Sequence, residues 1–167
     1  GNKDVYAIIW TTTPWTIPSN MAISMHPRFE YTFFEYKNDV YVAAQELLAS
    51  FLKDVEWDEA DIKVLGTCVG QDLELLATKH PLVDRKSPII LGEHVTLDAG
   101  TGSVHTAPGH GLEDYEVGCK YNIDVFSPLD GSGIWTETVG IPKIVVLYCN
   151  NKIFNTVTHI VGDVKNL

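Results

Sequence analysis

With 167 residues, 45% of them hydrophobic, the chain fits one domain with an ordinary buried core. Its net charge of −10, from 12 basic and 22 acidic side chains, has the wrong sign for a domain that grips nucleic acid by its phosphates, and no basic cluster reverses it. No apolar run approaches the roughly 18 residues that span a bilayer, and Cys68, Cys119 and Cys149 form an odd set without C-x-x-C spacing, so a soluble, cytoplasmic chain is expected, with neither a targeting leader nor a disulfide framework nor a cysteine zinc site.

Residues 5–10, β-branched and aromatic, read as a buried strand. The next stretch, from Trp10 to Asn20, packs five hydroxyls, two indoles and two prolines into eleven residues. Pro14 and Pro18 fix φ near −65° and push Thr13 and Ile17 from the helical region, which predicts an ordered, non-helical ledge. A strand over 21–25 stops at His26-Pro27. Residues 31–36 and 40–44 flank a polar three-residue connection and form a hairpin. Leu47, Leu48, Phe51 and Leu52 give residues 44–52 one apolar helical face, and the acidic stretch 56–61 reads as a solvated connection.

Further along, the pattern predicts a strand over 62–66, a glycine turn at Gly70, an ordered segment over 71–76, a turn over 79–82 and a strand over 87–92. Residues 94–97 continue the β pattern. A glycine-rich turn over 98–102 leads into a short strand at 103–106 and a second turn at 107–111. Residues 112–121 read as a helix with acids in its first turn and a lysine near its end, matching the helix dipole. Asp114 then sits near the helix start, facing the turn that carries His105. Residues 127–133 form a loop and 144–149 a strand by composition, and no functional residue is assigned beyond about 140. Short strands at ten-residue intervals with few helices predict a β-rich α/β fold built on a curved sheet or a β-barrel with peripheral helices.

Trp10-Thr-Thr-Thr-Pro-Trp-Thr16, followed by Pro18 and Asn20, resembles the threonine-rich segment of the editing domain of isoleucyl-tRNA synthetases, in the class I aminoacyl-tRNA synthetase family. In the valyl and leucyl enzymes the third threonine position is usually arginine, so Thr13 and Trp15 point to the isoleucyl branch. A second block, Asp98-Ala-Gly-Thr-Gly-Ser-Val-His105-Thr-Ala-Pro-Gly-His-Gly-Leu-Glu-Asp114-Tyr115, is similar to the same family's glycine-rich motif. The adenylate-forming signatures His-Ile-Gly-His and Lys-Met-Ser-Lys-Ser are missing. The resemblance therefore implies that 1–167 is a single editing domain from a larger synthetase, with ATP and magnesium belonging to a catalytic domain elsewhere.

What the resemblance implies chemically is hydrolysis of valine mischarged on tRNA(Ile), extending to valyl-adenylate. Isoleucine and valine are the standard illustration of double-sieve editing, in which a second, smaller pocket removes the error that one methylene lets through. An aminoacyl ester needs only a positioned water and a stabilised oxyanion, without a metal, cofactor or covalent nucleophile. Catalytic roles fall to Thr11, Thr12, Thr13 and Asp114: the threonines hold the terminal adenosine, the ester and the water, and Asp114 binds the substrate's α-ammonium. Trp10, Asn20, His105 and Gly102 bind substrate, Asn20 closing the threonine wall and His105 lying against the amino-acid side chain to set pocket size. The expected partners are the 3′ end of aminoacylated tRNA(Ile), its valine moiety and the remainder of the synthetase, with no membrane and no DNA.

Other readings of the same residues stay open. His105 taken alone is equally a hydrogen-bonded core histidine. His94, His105, His110 and Asp114 are close enough in sequence for a metal set, although glycine turns scatter them. Ser103 shares a strand face with His105, yet the pair lacks an orienting third group and a G-x-S-x-G elbow. At the level of the whole chain, the rivals are a module that binds the tRNA end without hydrolysis and a free-standing editing protein, the latter disfavoured by the missing RNA anchor.

Overall fold

A computed structural model describes residues 4–139 and the backbone of residues 158–162. Its first strand, β1 (Val5–Ile9), is buried on both faces, which explains the unbroken apolar run. Successive side chains on a strand point to opposite sides. Ile8 accordingly joins Phe34, Tyr41, Phe51 and Leu52 in one core, whereas Ile9 joins Ile17, Ile23, Met25, Tyr31 and Leu73 in another. The predicted hairpin is present as β3 (Glu30–Tyr36) and β4 (Asp39–Ala44), paired antiparallel from Tyr31 opposite Ala44 to Tyr36 opposite Asp39. The predicted helix follows as α1 (Leu48–Asp54), after a 3-10 turn at Gln45–Leu47, and buries Phe51 and Leu52 on the first core.

The remaining strands are β2 (Ala22–Met25), β5 (Lys63–Val69), β6 (Ala77–Lys79), β7 (Lys86–Leu91), β8 (Ser103–Thr106) and β9 (Thr158–Gly162). Among the described residues they form one nine-stranded sheet in the order β5-β3-β4-β1-β9-β6-β7-β2-β8. β1 runs parallel to β4 and β2 parallel to β7, and the other pairs are antiparallel. The sheet is open, which selects the curved sheet over the barrel. β5 and β8 remain at its two ends, and β5 is solvent-exposed along nearly its whole length. A second helix, α2 (Leu112–Lys120), packs Val117 against Ala22 and Ile90. No helix among the described residues is long and apolar enough to cross a membrane.

Two local expectations change and two are refined. The ledge is a 3-10 helix, Pro14–Ser19, closed by Thr16 N–H to Thr13 O and Asn20 N–H to Ile17 O. Proline's fixed φ suits a 3-10 turn as well as an extended segment, and at the first helical position its missing N–H costs nothing. Thr13 does stay non-helical before Pro14, with φ −123° and ψ 61°, but Ile17 enters the turn despite Pro18. Residues 94–97 are no strand: the chain turns after β7, with Val95 N–H bonded to Gly92 O, and the buried Val95 is satisfied by packing without a pairing partner. Residues 71–76 resolve into a 3-10 turn, Gly70–Leu73, that leads to β6, and the acidic stretch carries a short 3-10 turn, Glu59–Asp61, capped by Asp58. The strand expected at 144–149 lies outside the described residues.

Candidate functional site

The two sequence motifs meet through a directional chain of hydrogen bonds. Ser87 Oγ donates to Asn20 Oδ1 at 2.6 Å, and Asn20 Nδ2 donates both to Ala22 O and to His105 Nδ1, each at 2.8 Å. His105 Nδ1 must therefore carry a lone pair, which puts the ring proton on Nε2. That nitrogen lies 2.9 Å from Thr16 Oγ1, whose own proton goes to Thr13 O at 2.8 Å. Every donor finds an acceptor, and the direction is set by carbonyls at Ala22 and Thr13 that can only accept.

His105 is 6% exposed, and burial, with His80 and His110 nearby, pushes its pKa down to about 4. A neutral ring is what the network requires, since a second proton would face the Asn20 amide. Beyond Thr16 the shelf continues outward: Thr13 Oγ1 lies 3.4 Å from Thr16 Oγ1 and 3.3 Å from Thr11 Oγ1, and Thr11 Oγ1 accepts Thr13 N–H at 3.0 Å. Thr11, Thr13 and Thr16 are thus linked to one another.

The glycine-rich turn is held just as firmly. Thr101 Oγ1 donates to Ile8 O, Ala44 N–H to Thr101 O at 2.8 Å, and Tyr31 Oη to Gly102 O at 2.6 Å. Gly102 has φ +72°, and a Cβ there would come 2.4 Å from Ala44 Cβ. Conformation and space both demand glycine. Gly100, φ +84°, shares the conformational demand and lies against Trp10, where a Cβ would come 3.1 Å from Trp10 Cβ.

Between shelf and turn opens a cleft of about 350 Å³, within the ordinary range of small-molecule sites. Trp10, Thr11 and Thr12 line one part of it, and His94, Thr96, residues 98–104 and Glu113 the other. Of the expected site residues, Trp10, Thr11, Thr12 and Gly102 thus face the cleft. Thr13 is exposed at the shelf's end, while Asn20 and His105 are buried beneath it. Half-buried Asp114, in the first turn of α2, accepts Ala107 N–H at 2.8 Å, two residues past His105. Burial raises its pKa, and the Ala107 bond, His94 and His110 oppose that rise. Such a carboxylate gains from an arriving cation.

No protein-family model matches the chain. Individual relatives do. The isoleucine–tRNA ligase of Petrotoga mobilis is 46% identical over 165 residues, 99% of this chain, and that of Lawsonia intracellularis 54% identical over 132 residues, or 79%. The chain belongs to the isoleucyl-tRNA synthetase family and matches one segment of it. It spans 14% to 17% of the length of these relatives. Two solved structures share the fold of this synthetase segment: the GlLeuRS-CP1 structure, with TM-score 0.61 and 21% identity over 75% of this chain and 52% of the other, and the Plasmodium falciparum cytosolic leucyl-tRNA synthetase editing domain, with TM-score 0.59 and 16% identity over 72% and 48%. The segment has the CP1 editing-domain fold.

One part of the synthetase site was not read from sequence. His80, 2% exposed, bonds Ile17 O through Nε2 at 2.9 Å, and Arg85 Nη1 reaches Asn20 O at 2.8 Å and Pro18 O at 3.3 Å. Together with Ser87 they buttress the 3-10 shelf from behind. His110 adds a bond to Ser19 Oγ at 2.8 Å. Three of these contacts end on backbone carbonyls, which leave no side-chain signature. The available hint was polar Ser87 at the head of an apolar strand, a residue that needs a partner when buried.

Proposed function

We propose that this segment hydrolyses valine from mischarged tRNA(Ile), with valyl-adenylate as a further substrate, inside a cytoplasmic synthetase. The observation that carries the reading is the cleft itself, lined on one part by Trp10, Thr11 and Thr12 of the shelf and on the other by the pinned glycine turn and by Glu113, the residue before Asp114. In this reading Thr11, Thr12 and Thr13 orient the terminal adenosine, the ester and the attacking water. Locked hydroxyls lose little entropy on binding and position groups better than they deprotonate them. Asp114 receives the α-ammonium by a charge-assisted bond.

The neutral, doubly bonded His105 supports a positioning role over proton abstraction: it fixes the shelf, and through the shelf the room left for a side chain. Trp10 and Gly102 flank the nucleoside, and Asn20 acts through His105. The reaction needs no metal, cofactor or covalent intermediate, because the ester is already activated by its ribose leaving group. With −10 net charge the segment relies on the remainder of the synthetase to anchor the tRNA and deliver its 3′ end.

The test is deacylation of valyl-tRNA(Ile) and isoleucyl-tRNA(Ile) by the synthetase carrying this segment. Rapid release of valine with isoleucyl-tRNA spared is the expected result. Binding of the tRNA end without release of either amino acid would leave the non-hydrolytic module as the function.

A further inference from the structure

The shelf is closed upon itself, but the facing part of the cleft is not. Among the described residues, His94 Nε2 and Ser103 Oγ are buried without a hydrogen-bond partner, and both residues line the cleft. Nine in ten or more buried polar atoms are bonded, so two open valences on residues that line one cleft leave hydrogen-bonding capacity there that the described protein groups do not fill. The third such atom, Thr32 Oγ1, belongs to β3 and does not line the cleft.

Ser103 is not free to swing away. It is 2% exposed and opens β8, its backbone paired with Met25 and its predecessor Gly102 held by Tyr31. The His94 ring lies over Gly92, where a Cβ would come 2.4 Å from Cε1 and 2.6 Å from Nδ1. The absence of a side chain at 92 leaves the ring that space.

We propose that His94 Nε2 and Ser103 Oγ are substrate-contacting groups that together bind the ribose hydroxyl left free beside the ester. This rests on the hydrolytic reading above. An ester on one of two neighbouring hydroxyls leaves the other both donor and acceptor. An imidazole nitrogen and a serine hydroxyl are the pair that can serve both of its functions, since each can take either role. No bond is made or broken. Binding this hydroxyl fixes the ribose, and with it the ester carbonyl, against the threonines.

The experiment measures binding of adenosine carrying valine in amide linkage on one ribose position, prepared as both regioisomers, with the neighbouring hydroxyl present or replaced by hydrogen. It uses the full-length protein that carries this segment. Removing one hydrogen-bond partner costs about 1 kcal/mol, so Ser103→Ala and His94→Ala should each weaken the hydroxyl-bearing amide about fivefold. Both should leave the deoxy amide unchanged, a coupling that a merely structural role would not produce. Equal losses for both ligands would overturn the proposal and spare the hydrolytic reading. Failure of the folded parent protein to bind any of the amides would overturn both. Should His94→Ala not fold, Ser103→Ala decides alone, because it deletes one oxygen and keeps the β8 pairing.

Discussion

Asn20 and His105, 85 positions apart, meet at 2.8 Å through an amide that can only donate and a ring nitrogen that can only accept. The contact joins the threonine motif to the glycine-rich motif and fixes the protonation state of the histidine between them. Its consequence for stability follows from linkage. The folded pKa is about 4 and the unfolded one about 6.5, so between these values the unfolded chain binds the extra proton. Stability is full above pH 6.5 and falls as pH drops toward 4, by up to about 3 kcal/mol at 1.36 kcal/mol per unit. His80, also lowered by burial, acts in the same direction, whereas the raised carboxyl of Asp114 opposes it above its ordinary 3.8. Urea midpoints measured from pH 7.5 to 4.5 should fall, and less steeply in His105→Gln. An unchanged slope in that variant would remove His105 as the source.

Thr16 tests the next link. Thr16→Val keeps the shape and deletes the hydroxyl that accepts from His105 Nε2 and donates to Thr13 O. A buried N–H left unpaired costs about 1–3 kcal/mol, and the variant should lose that much in chemical denaturation. Thr16→Ser should retain most of the stability and the deacylation rate. Equal behaviour of the two variants would mean that the relay does not carry the shelf.

Much of this arrangement was legible from residue order. β-branched and aromatic runs gave β1, β3 and β4, the Leu47 to Leu52 spacing gave α1, and both site motifs stood out by composition. The losses share a physical cause. β6 is only Ala77–Lys79, too short to display alternation, and exists because β7 and β9 pair with it. Val95 and Thr96 alternate as a strand would, but the burial of Val95 comes from a turn. The His80 and Arg85 buttress is read only when the carbonyls of Ile17, Pro18 and Asn20 are in view. Long-range partners decided these positions, and one chain's order does not print them.

Asp114 separates binding from folding. Asp114→Asn keeps an acceptor for Ala107 N–H, now 2.8 Å from the carboxylate, but loses the charge that would meet an ammonium group. It should fold with near-parental stability and lose valyl-tRNA(Ile) deacylation by at least about a hundredfold, the scale of a misplaced substrate. Asp114→Ala should lose the same activity and, with Ala107 N–H unpaired, about 1–3 kcal/mol as well. Retained deacylation in Asp114→Asn would take the carboxylate out of the site.

Gly102 carries two separable constraints, and a pair of variants can part them. Gly102→Ala must hold φ near +72° and must also seat a methyl 2.4 Å from Ala44 Cβ. The left-handed conformation costs an L-residue about 1–2 kcal/mol, and overpacking costs about 1–3 kcal/mol more. The two together should lower the unfolding free energy by several kcal/mol and loosen the turn that Tyr31 holds through Gly102 O. In the double variant Gly102→Ala with Ala44→Gly the collision is relieved while the dihedral strain stays. Stability should then recover in part, leaving a non-additive remainder of at least about 1 kcal/mol in the cycle. Strict additivity would mean that Ala44 does not press on the turn, and the close packing that shapes this wall of the cleft would need another cause.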